Sequence, residues 1–128
     1  MKIYYGKAIY GKEEIEAVNK VLKNNSLKLI DGQYVKLLEK KIAKLFGKKY
    51  ALMVNSGSSA NLLGLASFNF KPGSEVITTT LTFSTTVAPI YQLGLVPSFI
   101  GVIKDKFIAD ISQIEKCITK KTVAIMLP

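Results

Sequence analysis

A run of small residues, Asn55-Ser56-Gly57-Ser58-Ser59, lies between a predicted strand and a predicted helix. The first N–H groups of a helix lack intrahelical acceptors and form the positive end of its dipole, so an anion binds favourably there. Gly57 lets the backbone approach a ligand closely, and Ser58 and Ser59 add hydroxyl donors with little bulk. The run predicts a phosphate site at Gly57, Ser58 and Ser59, and it predicts equally well that Ser58 or Ser59 only caps the helix. Its spacing differs from that of a P-loop and of a GxGxxG dinucleotide motif.

A second candidate segment, Thr79 to Thr86, follows the next predicted strand and places Phe83 in a polar loop. An aromatic ring in such a loop is poorly explained by core packing and could lie flat against a planar ligand. The alternative is that Phe83 packs at the margin of the core. A phosphate loop and an available ring at two neighbouring strand ends together suggest a flat phosphorylated cofactor.

Several other kinds of site are excluded by residue types that the chain lacks. All 18 basic residues among the 128 are Lys, and there is no Arg, His or Trp. Without His, the chain cannot hold a Ser-His-Asp or Cys-His nucleophile or an HExxH metal helix. The one cysteine, Cys117, cannot form an internal disulfide or a structural zinc site, and its helical spacing predicts a buried apolar role. We therefore expect no metal site and a cytoplasmic location.

The net charge of +9 favours a solvated basic surface over a nucleic-acid site. The lysines are scattered from Lys2 to Lys121 and do not form one basic run. The chain also has no Arg, which is the side chain that most often reads DNA bases. The uncharged stretch 76–103 is long enough to cross a bilayer, but it is interrupted by Pro89, Gly94 and Pro97, which predicts buried α/β interior. We expect neither nucleic acid nor membrane among the partners.

The hydrophobic pattern predicts the elements that position these loops. Two amphipathic helices are expected first, over 11–24 and 34–46, the second ending at Gly47. Strands and helices then alternate: strands over 50–54, 75–80, 96–102 and 122–127, and helices over 60–68, 86–93 and 110–118. Right-handed crossovers make this an α/β fold with a mostly parallel sheet and helices on both faces, whose ligands bind at the carboxyl ends of the strands. No loop follows the last apolar strand, so we expect the chain to be the N-terminal part of a longer protein.

Three ordered segments resemble one enzyme family: KYALMVNSGSSANLL, then EVITTTLTFSTTVAPIYQLGLVPSF, then DISQIEKCITKKTVAIMLP. They are similar to the N-terminal half of the large domain of the DegT/DnrJ/EryC1/StrS sugar aminotransferases, as is the upstream DGQYVKLLEKKIAKLFGKKYA. These are fold-type-I pyridoxal-phosphate enzymes that act on nucleotide-linked keto sugars. The resemblance covers nearly the whole chain.

The resemblance implies a role for each candidate residue. Gly57, Ser58 and Ser59 match the phosphate-binding turn, and Phe83 matches the aromatic residue that stacks on the pyridine ring, so the implied cofactor is pyridoxal or pyridoxamine 5′-phosphate. Residues 1–128 would be an N-terminal segment plus the first part of the cofactor-binding large domain. No lysine here occupies the Schiff-base position, and the catalytic residues are expected downstream of Pro128. The implied partners are a nucleotide-linked keto sugar and a second subunit in a homodimer.

NSGSSANLL and the TTVAPIYQ-GLVP run look most like the 4-keto-6-deoxyhexose 3-dehydrases, in which a His replaces the Schiff-base Lys. An aminotransferase acting on a nucleotide sugar is the alternative, because the deciding residue lies outside this chain. Two readings from other classes stay open: an inactive fragment that only binds the cofactor phosphate, and a lysine-rich nucleic-acid binder. Tyr4, Tyr5 and Lys7 could also reach a nucleotide sugar, since a terminal segment can fold over a neighbouring site.

Overall fold

A computed structural model describes residues 3–4, 6–24, 29–30 and 32–128. The chain forms two compact units, residues 1–53 and residues 54–128. The first unit contains helix α1 (Lys12–Asn24) and helix α2 (Gln33–Leu45), both close to their predicted bounds. In α1 the acidic Glu13 and Glu14 lie in the first turn and Lys23 in the last, which is the order that the helix dipole favours.

Helix α2 ends as its sequence predicts. Gly47 adopts a left-handed conformation with φ of +61°, which costs a glycine little because it has no Cβ. Its N–H donates to the carbonyl of Lys44, and the N–H of Lys48 donates to the carbonyl of Ala43. This pair of bonds is a Schellman motif, which satisfies carbonyls that the end of the helix would leave without donors.

The predicted strand over 50–54 is wrong. These residues lie in irregular backbone and belong to none of the strands among the described residues. The N–H of Met53 donates instead to the Glu39 carboxylate, at 2.8 Å. An apolar run becomes a strand only where a neighbouring strand supplies its hydrogen bonds, and composition does not reveal that neighbour.

The second unit has the predicted parallel α/β architecture. Helix α3 (Gly57–Ala66) leads to strand β1 (Glu75–Thr79), and helix α4 (Ser84–Gln92) leads to strand β2 (Val96–Ile100). A 3₁₀ turn (Ile111–Gln113) and the short helix α5 (Ile114–Cys117) then precede strand β3 (Thr122–Ile125). The sheet order is β2-β1-β3 with both pairings parallel, so the carboxyl ends of all three strands lie at one edge.

The uncharged stretch 76–103 supplies most of the buried residues of this unit, although Leu81, Phe83 and Tyr91 within it are exposed. Val76 of β1 and Ile90 of α4 are fully buried and pack together with Leu65 and Leu95. Pro89 lies inside α4 and is buried as well. Among the described residues, none of the helices is long and apolar enough to cross a membrane.

Two helix predictions need correction. Helix α3 begins at Gly57, three residues earlier than expected, and the expected helix over 110–118 is a 3₁₀ turn joined to the four-residue α5. The Asp110 side chain accepts the N–H of Ser112, 3.1 Å away, and so caps the 3₁₀ turn. Local capping bonds of this kind compete with a continuous helix.

Candidate functional site

Ser56 is the N-cap residue of α3. Its hydroxyl oxygen accepts the backbone N–H of Ser59 at 3.1 Å, and its own hydroxyl donates to the Ser59 oxygen, also at 3.1 Å. The alternative that Ser58 or Ser59 caps the helix is therefore wrong. Gly57, Ser58 and Ser59 are instead the first three residues of the helix.

The cap leaves two donors free at the start of α3. The N–H groups of Gly57 and Ser58 have no acceptor within the described residues, and both residues are exposed. A Cβ added at Gly57 would meet no atom within 4 Å, so the space in front of this turn is open. Two free N–H groups at the positive end of a ten-residue helix suit an anion such as a phosphate.

Phe83 lies just before α4, at the end of the loop that follows β1. Its side chain is 64% exposed, so the alternative that it packs at the margin of the core is not supported. Its carbonyl accepts the N–H of Thr86 at 2.9 Å, which fixes its backbone at the start of the helix. An exposed ring on a fixed backbone can receive a flat ligand without disturbing the core.

Asn61 joins the two candidate loops. It lies one turn beyond Gly57 in α3, and its side-chain amide donates to the carbonyl of Thr85 at 3.2 Å. Thr85 is the second residue of α4 and follows Phe83 by two positions. The turn at Gly57 and Ser58 and the loop that ends at Phe83 both belong to the second unit. A direct hydrogen bond thus holds them together at one edge of the sheet.

A cavity of about 310 Å³ lies beside Phe83, and its walls are formed by Leu81, Thr82, Phe83 and Pro128. The hydroxyl of Thr82 is shielded from solvent and has no hydrogen-bond partner within the described residues. A larger groove of about 350 Å³ lies between α3 and β3 and is lined mostly by apolar side chains. The groove includes the polar side chain of Asn61, whereas the cavity beside Phe83 is the one that borders the exposed ring.

The remaining sequence predictions fall outside this site. No group of residues suited to hold a metal occurs among the residues described. Cys117 is a free, half-buried cysteine, less buried than its spacing predicts. Tyr4 and Lys7 lie exposed in the first unit, and Tyr5 lies outside the described residues.

Sequence reasoning missed two residues of the site, Ser56 and Asn61. Ser56 carried a usable signal, because Asn and Ser are the residue types preferred at an N-cap and both precede Gly57. The role of Asn61 depends on its tertiary contact with Thr85, so no local signal marks this residue.

Comparison with known proteins gives a family match over almost the whole chain. The sequence model of the DegT/DnrJ/EryC1/StrS aminotransferase family matches residues 8–127. GDP-4-keto-6-deoxy-D-mannose 3-dehydratase of Yersinia pseudotuberculosis is 37% identical over 123 residues, which are 91% of this chain and 31% of that protein. The chain therefore spans about a third of the length of the curated relatives it matches.

Solved structures agree with the observed fold. A GDP-4-keto-6-deoxymannose-3-dehydratase with a trapped PLP-glutamate geminal diamine superposes with a TM-score of 0.86 at 35% identity, covering 97% of this chain and 33% of that one. An aminotransferase from Psychrobacter cryohalolentis gives a TM-score of 0.80 at 27% identity, over 91% of this chain and 30% of that chain. The α/β fold with a parallel sheet is therefore confirmed.

Proposed function

We infer the function from the family: this chain belongs to the DegT/DnrJ/EryC1/StrS aminotransferase family. We propose that it is the cofactor-anchoring part of an enzyme that uses pyridoxal or pyridoxamine 5′-phosphate. In this proposal the residues 1–128 are an N-terminal segment plus the first part of the large domain. The observation that carries it is the free N–H pair of Gly57 and Ser58, which Asn61 ties to the loop of Phe83.

The residues at the sheet edge fit a flat phosphorylated cofactor. The N–H groups of Gly57 and Ser58, with the Ser58 hydroxyl, would bind the phosphate, while Ser59 holds the turn through its bonds to Ser56. The exposed ring of Phe83 would lie against the pyridine ring and fix its plane. When bound, the cofactor supplies an electron sink for charge that develops at the reacting carbon.

The proposed reaction is C-3 dehydration of a nucleotide-linked 4-keto-6-deoxy sugar. Support comes from relatives that are named as 3-dehydratases acting on GDP- and dTDP-linked sugars, 37% and 45% identical over their matched segments. Amino transfer to a nucleotide sugar is the second candidate, favoured by the likeness to the Psychrobacter aminotransferase. In both reactions, this chain would bind and orient the cofactor, and the residues that move protons would lie beyond Pro128.

We also propose that the protein is a homodimer and that it acts in the cytoplasm.

The role of the chain is tested by mixing it with pyridoxal 5′-phosphate, treating the mixture with borohydride and mapping any adduct by mass spectrometry. The proposal predicts saturable binding with no lysine modified above the background of exposed lysines. A stoichiometric adduct at one lysine would contradict the statement that no Schiff-base Lys lies in this chain. Salt-sensitive retention on DNA without cofactor binding would instead favour the nucleic-acid binder.

The reaction is tested with the longer reading frame that contains this segment. A nucleotide-linked 4-keto-6-deoxy sugar is supplied with the cofactor, first with and then without an amino-acid donor. Loss of the C-3 hydroxyl without a donor identifies the dehydrase, and donor-dependent gain of an amino group identifies the aminotransferase. If neither product forms although the cofactor binds, the proposed reaction is wrong while the cofactor role stands.

A further inference from the structure

We propose that the outer edge of β3 is an interface within the longer protein, where a further apolar strand from outside residues 1–128 pairs with the backbone of Ile125. It rests on the part of the proposed function that places this chain in a longer enzyme. Strand β1 lies between β2 and β3, so the sheet has two outer edges. These edges differ in their backbone groups and in their side chains, and only one of them suits a further strand.

The outer edge of β2 is protected against a further strand. The N–H of Val96 donates to the carbonyl of Ser74 in front of β1, at 2.9 Å. Since backbone groups alternate in direction along a strand, those of Pro97 and Phe99 point away from β1. Pro97 has no N–H to donate, and proline at such a position is one of the devices that keep an edge strand from pairing.

The outer edge of β3 has no such protection. The N–H of Met126 donates to the carbonyl of Ile77 at 2.9 Å, so the N–H of the preceding Ile125 points away from β1. Strand β3 contains neither a proline nor a charged residue. Within the part of the chain that the structure describes, no strand pairs with this side of β3. The edge therefore offers backbone groups that a further strand can bind.

The side chains along β3 are apolar and lack cover. Val123, Ile125 and Leu127 are 39% to 50% exposed, whereas the strands of an all-parallel sheet are normally buried on both faces. The groove of about 350 Å³ beside β3 is bordered by Phe68, an exposed ring that stacks on the ring of Phe70. A strand with apolar side chains would satisfy the free backbone groups and also cover this surface.

The occupant that we assign is a segment of the same protein and not a second copy of this chain. Residues 1–128 span about a third of the length of the matched relatives, so the longer protein has ample chain for further strands. Two copies of the four-residue β3 would share only a few hydrogen bonds and would bury far less surface than a stable dimer needs. A segment of the same chain pairs without the entropic cost of association.

Hydrogen exchange at individual amides of the longer protein tests the pairing. We expect the Ile125 amide to exchange at least about a hundredfold more slowly than the Phe99 amide, which points outward from β2. The Met126 amide, bonded to Ile77, should be protected as well and reports that the sheet is folded. Rapid exchange at Ile125 beside a protected Met126 overturns the inference. Equal protection of Ile125 and Phe99 also overturns it, because the two edges would then not differ.

A pair of substitutions separates a paired strand from any other cover. Ile125→Ala removes most of the side chain, and Ile125→Pro removes the N–H as well. In the longer protein we expect Ile125→Pro to melt at least about 2 °C lower than Ile125→Ala, because it takes one donor from the sheet. Phe99→Pro and Phe99→Ala are the matched controls and should melt at similar temperatures. Equal melting temperatures of the two Ile125 variants overturn the pairing.

Binding of pyridoxamine 5′-phosphate to the longer protein separates this inference from the proposed function. If the cofactor binds and Ile125 exchanges rapidly, the edge pairing is wrong while the cofactor role stands. If Ile125 is protected and no cofactor binds, the pairing stands while the proposed function fails.

Discussion

The side-chain amide of Asn61 donates a hydrogen bond to the carbonyl oxygen of Thr85, 3.2 Å away. Asn61 lies one turn beyond the free N–H groups of Gly57 and Ser58, and its bond connects α3 to the first turn of α4, which begins after Phe83. A cofactor that uses both loops requires a fixed distance between its phosphate contact and its ring contact. Asn61 therefore positions the site without touching the phosphate turn itself.

Asn61→Ala should weaken cofactor binding because it releases one loop from the other. We expect a severalfold loss of pyridoxamine 5′-phosphate affinity, together with a loss of about 1 kcal/mol in the free energy of unfolding for the missing hydrogen bond. Ser67→Ala is the control, since the Ser67 hydroxyl donates to the Gly64 carbonyl at the far end of the same helix, 2.7 Å away. If both variants keep full affinity, the Asn61 bond does not position the site.

Ser58→Asp should weaken phosphate binding and stabilise the ligand-free helix at the same time. A carboxylate in the first turn of α3 repels a phosphate at close range, and we expect at least about a tenfold loss of affinity. The same carboxylate interacts favourably with the helix dipole, which raises the stability of the free protein by about 0.3 to 1 kcal/mol. Ser58→Asn has nearly the same shape without the charge and should lose far less affinity. Titration and thermal melts of both variants check the two effects. Unchanged affinity in Ser58→Asp would show that the phosphate does not bind at this turn.

Phe83→Ala should lower cofactor affinity with little change in the melting temperature, because the ring is 64% exposed in the ligand-free protein. The contrasting variant is Ile90→Ala, which empties a fully buried position and should cost about 2 to 5 kcal/mol of stability. A large loss of thermal stability in ligand-free Phe83→Ala would show that the ring belongs to the core after all.

Asp110→Asn should destabilise the chain in a pH-dependent way. Hydrogen bonds from the side chains of Ser112 and Gln113, at 2.6 and 2.8 Å, hold the pKa of the Asp110 carboxyl below its ordinary value of 3.8. A carboxyl with a lowered pKa stabilises the folded state above its unfolded pKa, and that contribution disappears as the pH falls through the folded value. The melting temperature of Asp110→Asn should lie below that of the parent at pH 7, and the two should converge in strong acid. A constant difference across this range would contradict the role of the charge.

The sequence predicted those elements whose stabilising contacts are local. The apolar spacing of α1 and α2, the charge order of α1 and the glycine that ends α2 are visible within a few residues, so the positions of both helices were predicted closely. The three strands that pair were also predicted, because apolar runs between turn residues are typical of a parallel sheet.

The errors occur where a distant partner or a cap decides the outcome. Residues 50–54 have the composition of a strand, yet Met53 is bound by the Glu39 carboxylate and has no strand beside it among the described residues. Ser56 begins α3 three residues early, and Asp110 converts the start of a predicted helix into a 3₁₀ turn. For the site, the turn and Phe83 could be proposed from the sequence, whereas the Asn61 bond that joins them could not.

A paired titration distinguishes whether Gly57, Ser58 and Phe83 hold the phosphate and the ring of one cofactor. Pyridoxamine 5′-phosphate and pyridoxamine share the ring and differ only in the phosphate group. We expect the chain to bind the phosphorylated compound at one site, with much weaker binding of pyridoxamine and with Ser58→Asp abolishing the difference between them. Equal affinity of the parent chain for both compounds, or a preference that Ser58→Asp leaves intact, would show that Gly57 and Ser58 do not hold the phosphate.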